Sequence, residues 1–128
     1  MSGILNSVPF GAGVDRIWSP NGELLTVKTA VISASTIGDN TLVSAVSGKS
    51  IYVLSLFFIC STAVSVRFES GAGGTALSGI MPFPANGGMV LPFNTGSWFN
   101  TASNTLLNME LSVAGSATVA GTLQYVEF

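Results

Sequence analysis

The chain has 128 residues, of which 48% are hydrophobic, and carries four Lys or Arg against six Asp or Glu for a net charge of −2. That length makes one domain, long enough to bury a core without staples. With no histidine and a single cysteine, Cys60, it excludes Ser-His-Asp triads, Cys-His nucleophiles and zinc centres.

The acidic balance without a basic cluster argues against nucleic acid as a partner. Only 8% of residues are charged, against about 25% in ordinary soluble domains. With a mean hydropathy of +0.60, an isolated monomer is expected to expose sticky surface that other subunits cover. Cys60 lies inside an apolar run and reads as a buried small hydrophobe, compatible with assembly in a reducing cytoplasm.

Residues 1–24 are broken by Pro9, Gly11, Gly13, Pro20 and Gly22 and read as an irregular N-terminal arm. Its Ile4, Leu5, Val8, Phe10, Ile17 and Trp18 are unusual in a solvated tail, so the arm is expected to pack on its own domain or on a neighbouring subunit. No secretion-signal pattern opens the chain. Ser19 to Glu23, SPNGE, predicts a turn, since proline fixes one backbone angle and Asn-Gly tolerates positive φ. The domain proper is expected over residues 25–128.

Leu24 to Ser33 is β-prone, with Val27, Thr29 and Val31 on one face, and Gly38-Asp39-Asn40 predicts a turn before a strand at Thr41 to Val46. Ser47-Gly48 turns into the most hydrophobic stretch, Ile51 to Cys60, which reads as a strand covered on both faces. Ten residues are too few to span a membrane as a helix, which takes about 20. Ala63 to Glu69 alternates, with Val64, Val66 and Phe68 inward and Ser65, Arg67 and Glu69 outward, and is expected to pair with Ile51 to Cys60 as a β-hairpin.

Ser70 to Gly79 is a glycine-rich loop or a weakly paired strand. Its G-x-G at Gly71 to Gly73 opens no helix and so cradles no phosphate. Pro82 and Pro84 confine the next stretch to an edge, a bulge or a loop, and Asn86-Gly87-Gly88 turns into a short strand at Met89 to Leu91. Between Ser70 and Met109 no side chain is charged, although Phe83, Phe93, Trp98 and Phe99 lie there, which suits an oligomer interface. Leu106 to Val113 alternates again, with Leu107, Met109, Leu111 and Val113 inward. After a turn at Gly115-Ser116, Ala117 to Phe128 closes the chain with Val119, Leu123 and Tyr125 on one side and Val126 and Phe128 on the other. These short strands, spaced about ten residues apart, predict an all-β antiparallel sandwich, a jelly roll of about eight strands.

The chemistry left is carboxylates, scattered one per element at Asp15, Glu23, Asp39, Glu69, Glu110 and Glu127. Glu69 and Glu110 could meet across neighbouring strands as a glycosidase pair, but a solvated strand face is the simpler reading. Asp39 and Asn40 could hold calcium, although an Asx-turn needs no ion. Trp98, Phe99 and Asn100 with Trp18 could stack on a sugar, against which core or interface packing is favoured. No catalytic residue, cofactor or metal is assigned, and the chain is not expected to be an enzyme.

The runs GDNTLVSAVSGKSIYVLSLFFI, VRFESGAGGTALSGIMPFPANGGMVLPF, GSWFNTASNTLLNMELS and VAGTLQYVEF, in that order and spacing, resemble a small β-domain of tailed-bacteriophage virions over residues 30–128. Similar domains serve as jelly-roll cement or decoration proteins on phage heads, usually as trimers over the junctions between capsomers, and related ones occur in fibres. The resemblance implies a homotrimer bound to the major capsid protein on the outer capsid surface of the virion, with no membrane, nucleic acid or small-molecule substrate. The alternative it leaves is a trimeric tail- or head-fibre domain that binds a host glycan. On this footing Phe10, Ile17 and Trp18 are expected to contact the capsid, and Met81, Phe83, Phe93, Trp98 and Phe99 the threefold interface.

Overall fold

The computed structural model describes residues 16–112 and 117–128. Phe10, Val113 and the turn expected at Gly115-Ser116 lie outside them. The strands are β1 (Arg16–Trp18), β2 (Leu24–Thr26), β3 (Lys28–Ala34), β4 (Gly38–Val43), β5 (Ile51–Cys60), β6 (Val64–Ser70), β7 (Thr75–Ala76), β8 (Met81–Phe83), β9 (Gly88–Leu91), β10 (Phe99–Asn100), β11 (Leu107–Ser112) and β12 (Val119–Glu127). No helix occurs among the described residues.

The strands form two antiparallel five-stranded sheets packed face to face, plus the small ribbon β1–β2. The first sheet runs β3, β12, β5 and then the short pieces β9 and β10; the second runs β4, β11, β6 and then β7 and β8. Each sheet thus holds four strand positions, with the last two long strands inserted between earlier ones. That is the jelly-roll order, and eight positions hold the ten strands of the two sheets because short pieces share the outer ones. Between the sheets lies one core, in which Ile32, Val53, Leu56, Phe58, Val66, Phe68, Leu107, Met109, Leu111, Val119 and Leu123 are buried together with Cys60. Each of the larger side chains contributes roughly 1.5–3 kcal/mol by leaving water.

Three local expectations are corrected. β5 and β6 are not a hairpin: β5 pairs with β12 and β6 with β11, so the chain arches from one sheet to the other at Ser61 to Ala63. Both strands present an apolar face, and apolar faces are buried by stacking across a core rather than by hydrogen bonding edge to edge. Gly38-Asp39-Asn40 is the start of β4, not a turn; the bend falls just before it, at Thr36 and Ile37. Finally, β5 is not covered on both faces by the described residues, since Phe57 and Ile59 are 54% and 59% exposed.

Elsewhere the local chemistry acts as read. Ser19 to Glu23 is a tight turn closed by the Ser19 N–H donating to the Glu23 carbonyl at 2.7 Å, with Gly22 at φ 81°. Pro82 sits in the edge strand β8, where a missing N–H costs no ladder bond. Asn86 takes φ 63° in the turn before β9. Cys60 is fully buried, and burial pushes its thiol pKa up.

Candidate assembly surface

The surface that stands out is built around a bulge in β5. Register along β12 passes from Gln124 opposite Ser55 to Tyr125 opposite Val53, so Leu54 is an extra residue. The bulge turns Leu54 and Ser55 both to the outer face of the sheet, where Leu54 is buried and the Ser55 hydroxyl donates to Gln124 Oε1 at 2.9 Å. It also frees two carbonyls. Leu54 O accepts from the Asn94 N–H at 2.9 Å and Val53 O from the Trp98 N–H at 2.8 Å, which fastens the loop of residues 92–98 to this point.

That loop is braced from within. Asn94 Oδ1 accepts from the Gly96 N–H at 2.9 Å, the Trp98 indole donates to the Pro92 carbonyl at 2.8 Å, and Ser97 takes φ 62°. The β1–β2 ribbon lies beside it over the same sheet end. The Ser19 hydroxyl accepts from the Asn21 and Glu23 N–H groups at 3.2 and 3.0 Å, which orients the ribbon's turn. Between ribbon, loop and sheet is a cavity of about 310 Å3 lined by Ile17, Trp18, Leu25, Tyr52, Leu54, Val126 and Phe128 among others. Trp18 itself is 70% exposed, and Phe93 and Trp98 on the adjoining loop are each a little under half exposed.

The structure therefore brings together two groups that were far apart in sequence. Ile17 faces the cavity and Trp18 stands at its mouth, beside the loop that carries Phe93 and Trp98. Met81, Phe83 and Phe99 pack largely against the chain's own core. Phe83 meets Phe58 edge-on at 5.3 Å between ring centroids, and Phe99 lies 5.0 Å from Phe68. Sequence reasoning missed a second exposed surface. On the outer face of the first sheet Val31, Thr122, Phe57 and Val90 stand side by side across β3, β12, β5 and β9. Val31 and Val90 are each 73% exposed. The available signal was alternation: a two-layer fold has one core, so every second residue of Ile51 to Cys60 had to face outward.

The opposite outer face, on β4, β11 and β6, is polar and internally paired. Arg67 binds Glu69 at 2.5 Å and Glu110 at 2.9 Å. Asn108 Nδ2 donates to Asp39 Oδ1 at 2.9 Å and to Glu69 Oε1 at 2.8 Å. Glu69, expected outward in water, is fully buried beneath this network, and Asn108 is buried with it. The hydrogen bond that Arg67 donates to Glu69, then the charge of Glu110, raises the Arg67 pKa above its ordinary value. Oxygens of Asp39, Glu69 and Glu110 lie within 4.8 Å of one another, close enough for a carboxylate pair or an ion. Arg67 already supplies the positive charge there, and a buried, arginine-bound Glu69 has no path to a substrate. Asn40 is no cation ligand either: its Nδ2 donates to the Thr36, Gly38 and Met109 carbonyls and its Oδ1 accepts from the Thr36 N–H.

No protein-family model matches the chain, and no curated protein does. Its architecture has a counterpart among solved structures. The fold is similar to one found in a phage capsid. The match is to a chain of the cyanophage Pam1 capsid asymmetric unit, with 14% identity and a TM-score of 0.50. It covers 91% of this chain and 96% of that one. At that identity the likeness is one of fold, and it agrees with the two-sheet antiparallel sandwich described above.

Proposed function

We propose that the chain is a structural protein of a bacteriophage virion, a decoration protein that binds the outer surface of the head as a homotrimer and stabilises the capsid lattice. The observation that carries this reading is the fold likeness to a chain of a phage capsid asymmetric unit, which runs through nearly the whole of both chains. The end of the sandwich supports it. A cavity of side-chain size, an exposed tryptophan at its mouth and a braced uncharged loop make a surface suited to packing against protein. In this reading Trp18 and the cavity meet the major capsid protein, while Phe93 and Trp98 beside them meet a second copy.

Such a protein works by area rather than by chemistry. Apolar surface contributes on the order of 25 cal/mol per Å2 removed from water, and a trimer engages the shell through several sites at once, which multiplies weak contacts. Folding in the host cytoplasm precedes joining the virion, and the buried thiol of Cys60 is compatible with that.

The test is mass spectrometry of separated virion parts, followed by adding the purified protein back to heads that lack it. High copy in DNA-filled heads, saturable binding to bare heads and loss of that binding in Trp18→Ala are expected. Recovery in tails at a few copies would overturn the reading and make the chain a fibre module.

A further inference from the structure

We infer that the bare half of the first sheet's outer face is the seat of the chain's own first fifteen residues. This face is split in two. The ribbon covers the half that carries Tyr52, Leu54, Val126 and Phe128, while the half that carries Val31, Phe57, Ile59 and Val90 has no cover among the described residues. The outward positions of the bare half are Thr29, Val31, Ser33, Ser55, Phe57, Ile59, Val90, Ala120, Thr122 and Gln124 by alternation from the core, and none is charged.

Arg16, the first described residue, lies where this face begins. β1 runs antiparallel to β2 with Arg16 opposite Thr26, so the chain before Arg16 leaves the ribbon at the end where Val27 leads into β3, the strand that carries Val31. Fifteen residues reach up to about 50 Å, whereas the bare row from β3 to β9 spans three strand spacings, about 14 Å. The chemistry matches as well. The first fourteen side chains carry no charge and include Ile4, Leu5, Val8, Phe10 and Val14, an apolar set for an apolar face.

A tethered segment that starts beside its seat acts at an effective concentration in the millimolar range, so it outcompetes the same segment of another molecule. The seat is therefore filled within one chain. This arrangement reassigns Phe10 from the shell to its own domain and leaves the cavity end free for the capsid.

The test is hydroxyl-radical footprinting of the free full-length protein, reading oxidation of Phe57 by mass spectrometry with Phe93 as the internal reference. Replacing Leu5→Ser and Phe10→Ser together is expected to raise Phe57 oxidation several-fold and leave Phe93 unchanged. A dilution series separates the sources of cover: protection that persists on dilution supports the proposal, and protection that fades as sedimentation falls to monomer overturns it in favour of another copy. An equal Phe57 rate in both proteins overturns it too. A second variant, residues 1–14 removed, is expected to bind a hydrophobic dye more strongly than the full chain, and unchanged dye binding by a folded truncation would count against the seat. None of these readings uses a phage head, so their failure leaves the decoration role to its own test.

Discussion

Phe58 and Phe68 face each other across the core with ring centroids 6.2 Å apart and planes tilted by 59°, although one belongs to each sheet. Phe83 and Phe99 extend the stack from either side. This contact is where the arch between β5 and β6 brings the two sheets together. Phe68→Ala is expected to cost about 3–5 kcal/mol of folding stability, as a large cavity in a fully buried site does. Chemical denaturation with an unchanged slope would check it, and a loss below 1 kcal/mol would mean the stack does not hold the sheets together.

The Arg67 network makes a second prediction through the charge it neutralises. Removing the guanidinium with Arg67→Ala leaves the fully buried Glu69 with only Asn108 to stabilise its charge. Replacing both residues with apolar ones removes that charge altogether. Arg67→Ala should therefore lower the denaturation midpoint more than Arg67→Met with Glu69→Leu does, because an unpaired buried charge is worse than none. Equal midpoints for the two proteins would contradict the pairing.

Lys28 gives a pH dependence. Its ammonium donates to Glu127 Oε1 at 2.5 Å, and that hydrogen bond, then the attraction of the carboxylate, raises the Lys28 pKa. A raised folded-state value stabilises below the unfolded value of about 10.4, and the contribution is lost as pH climbs through the folded value. Lys28 is half exposed, so solvent screening holds the effect to at most about 1 kcal/mol. Lys28→Met should lower thermal stability slightly at neutral pH, and the difference from the parent protein should vanish in strongly alkaline buffer.

Gly121 sits in β12 between Ile32 of β3 and Phe58 of β5. A Cβ there would fall 1.9 Å from the Phe57 carbonyl oxygen and 2.7 Å from the Phe58 Cα, both backbone atoms that cannot move aside. Gly121→Ala is expected to abolish soluble folding, whereas Gly79→Ala, with nothing within 4 Å, should express as the parent does. Solubility and circular dichroism of the pair would decide it.

Much of the fold was legible because strand periodicity and turn chemistry are local. Val64, Val66 and Phe68, and Leu107, Met109 and Leu111, alternate with polar residues, so their inward direction follows from the pleat alone. Pro82 on an edge and Asn86 in a turn follow from one missing N–H and one tolerated backbone angle. Glu69 was misplaced in water for the opposite reason. Alternation gives the direction a side chain points, but not whether neighbours on adjacent strands close over it.

By itself the sequence determined the composition of the layers: a sparsely charged, strand-rich chain with one core and apolar residues left over for contact. Only the tertiary structure decided the partnerships. Whether β5 meets β6 by hydrogen bonds or by stacking depends on where β11 and β12, some fifty residues later, insert. The joining of Ile17 and Trp18 with the 92–98 loop likewise depends on a single bulge at Leu54. The free energy of such long-range pairings comes from closing the whole sheet, and no local segment carries it.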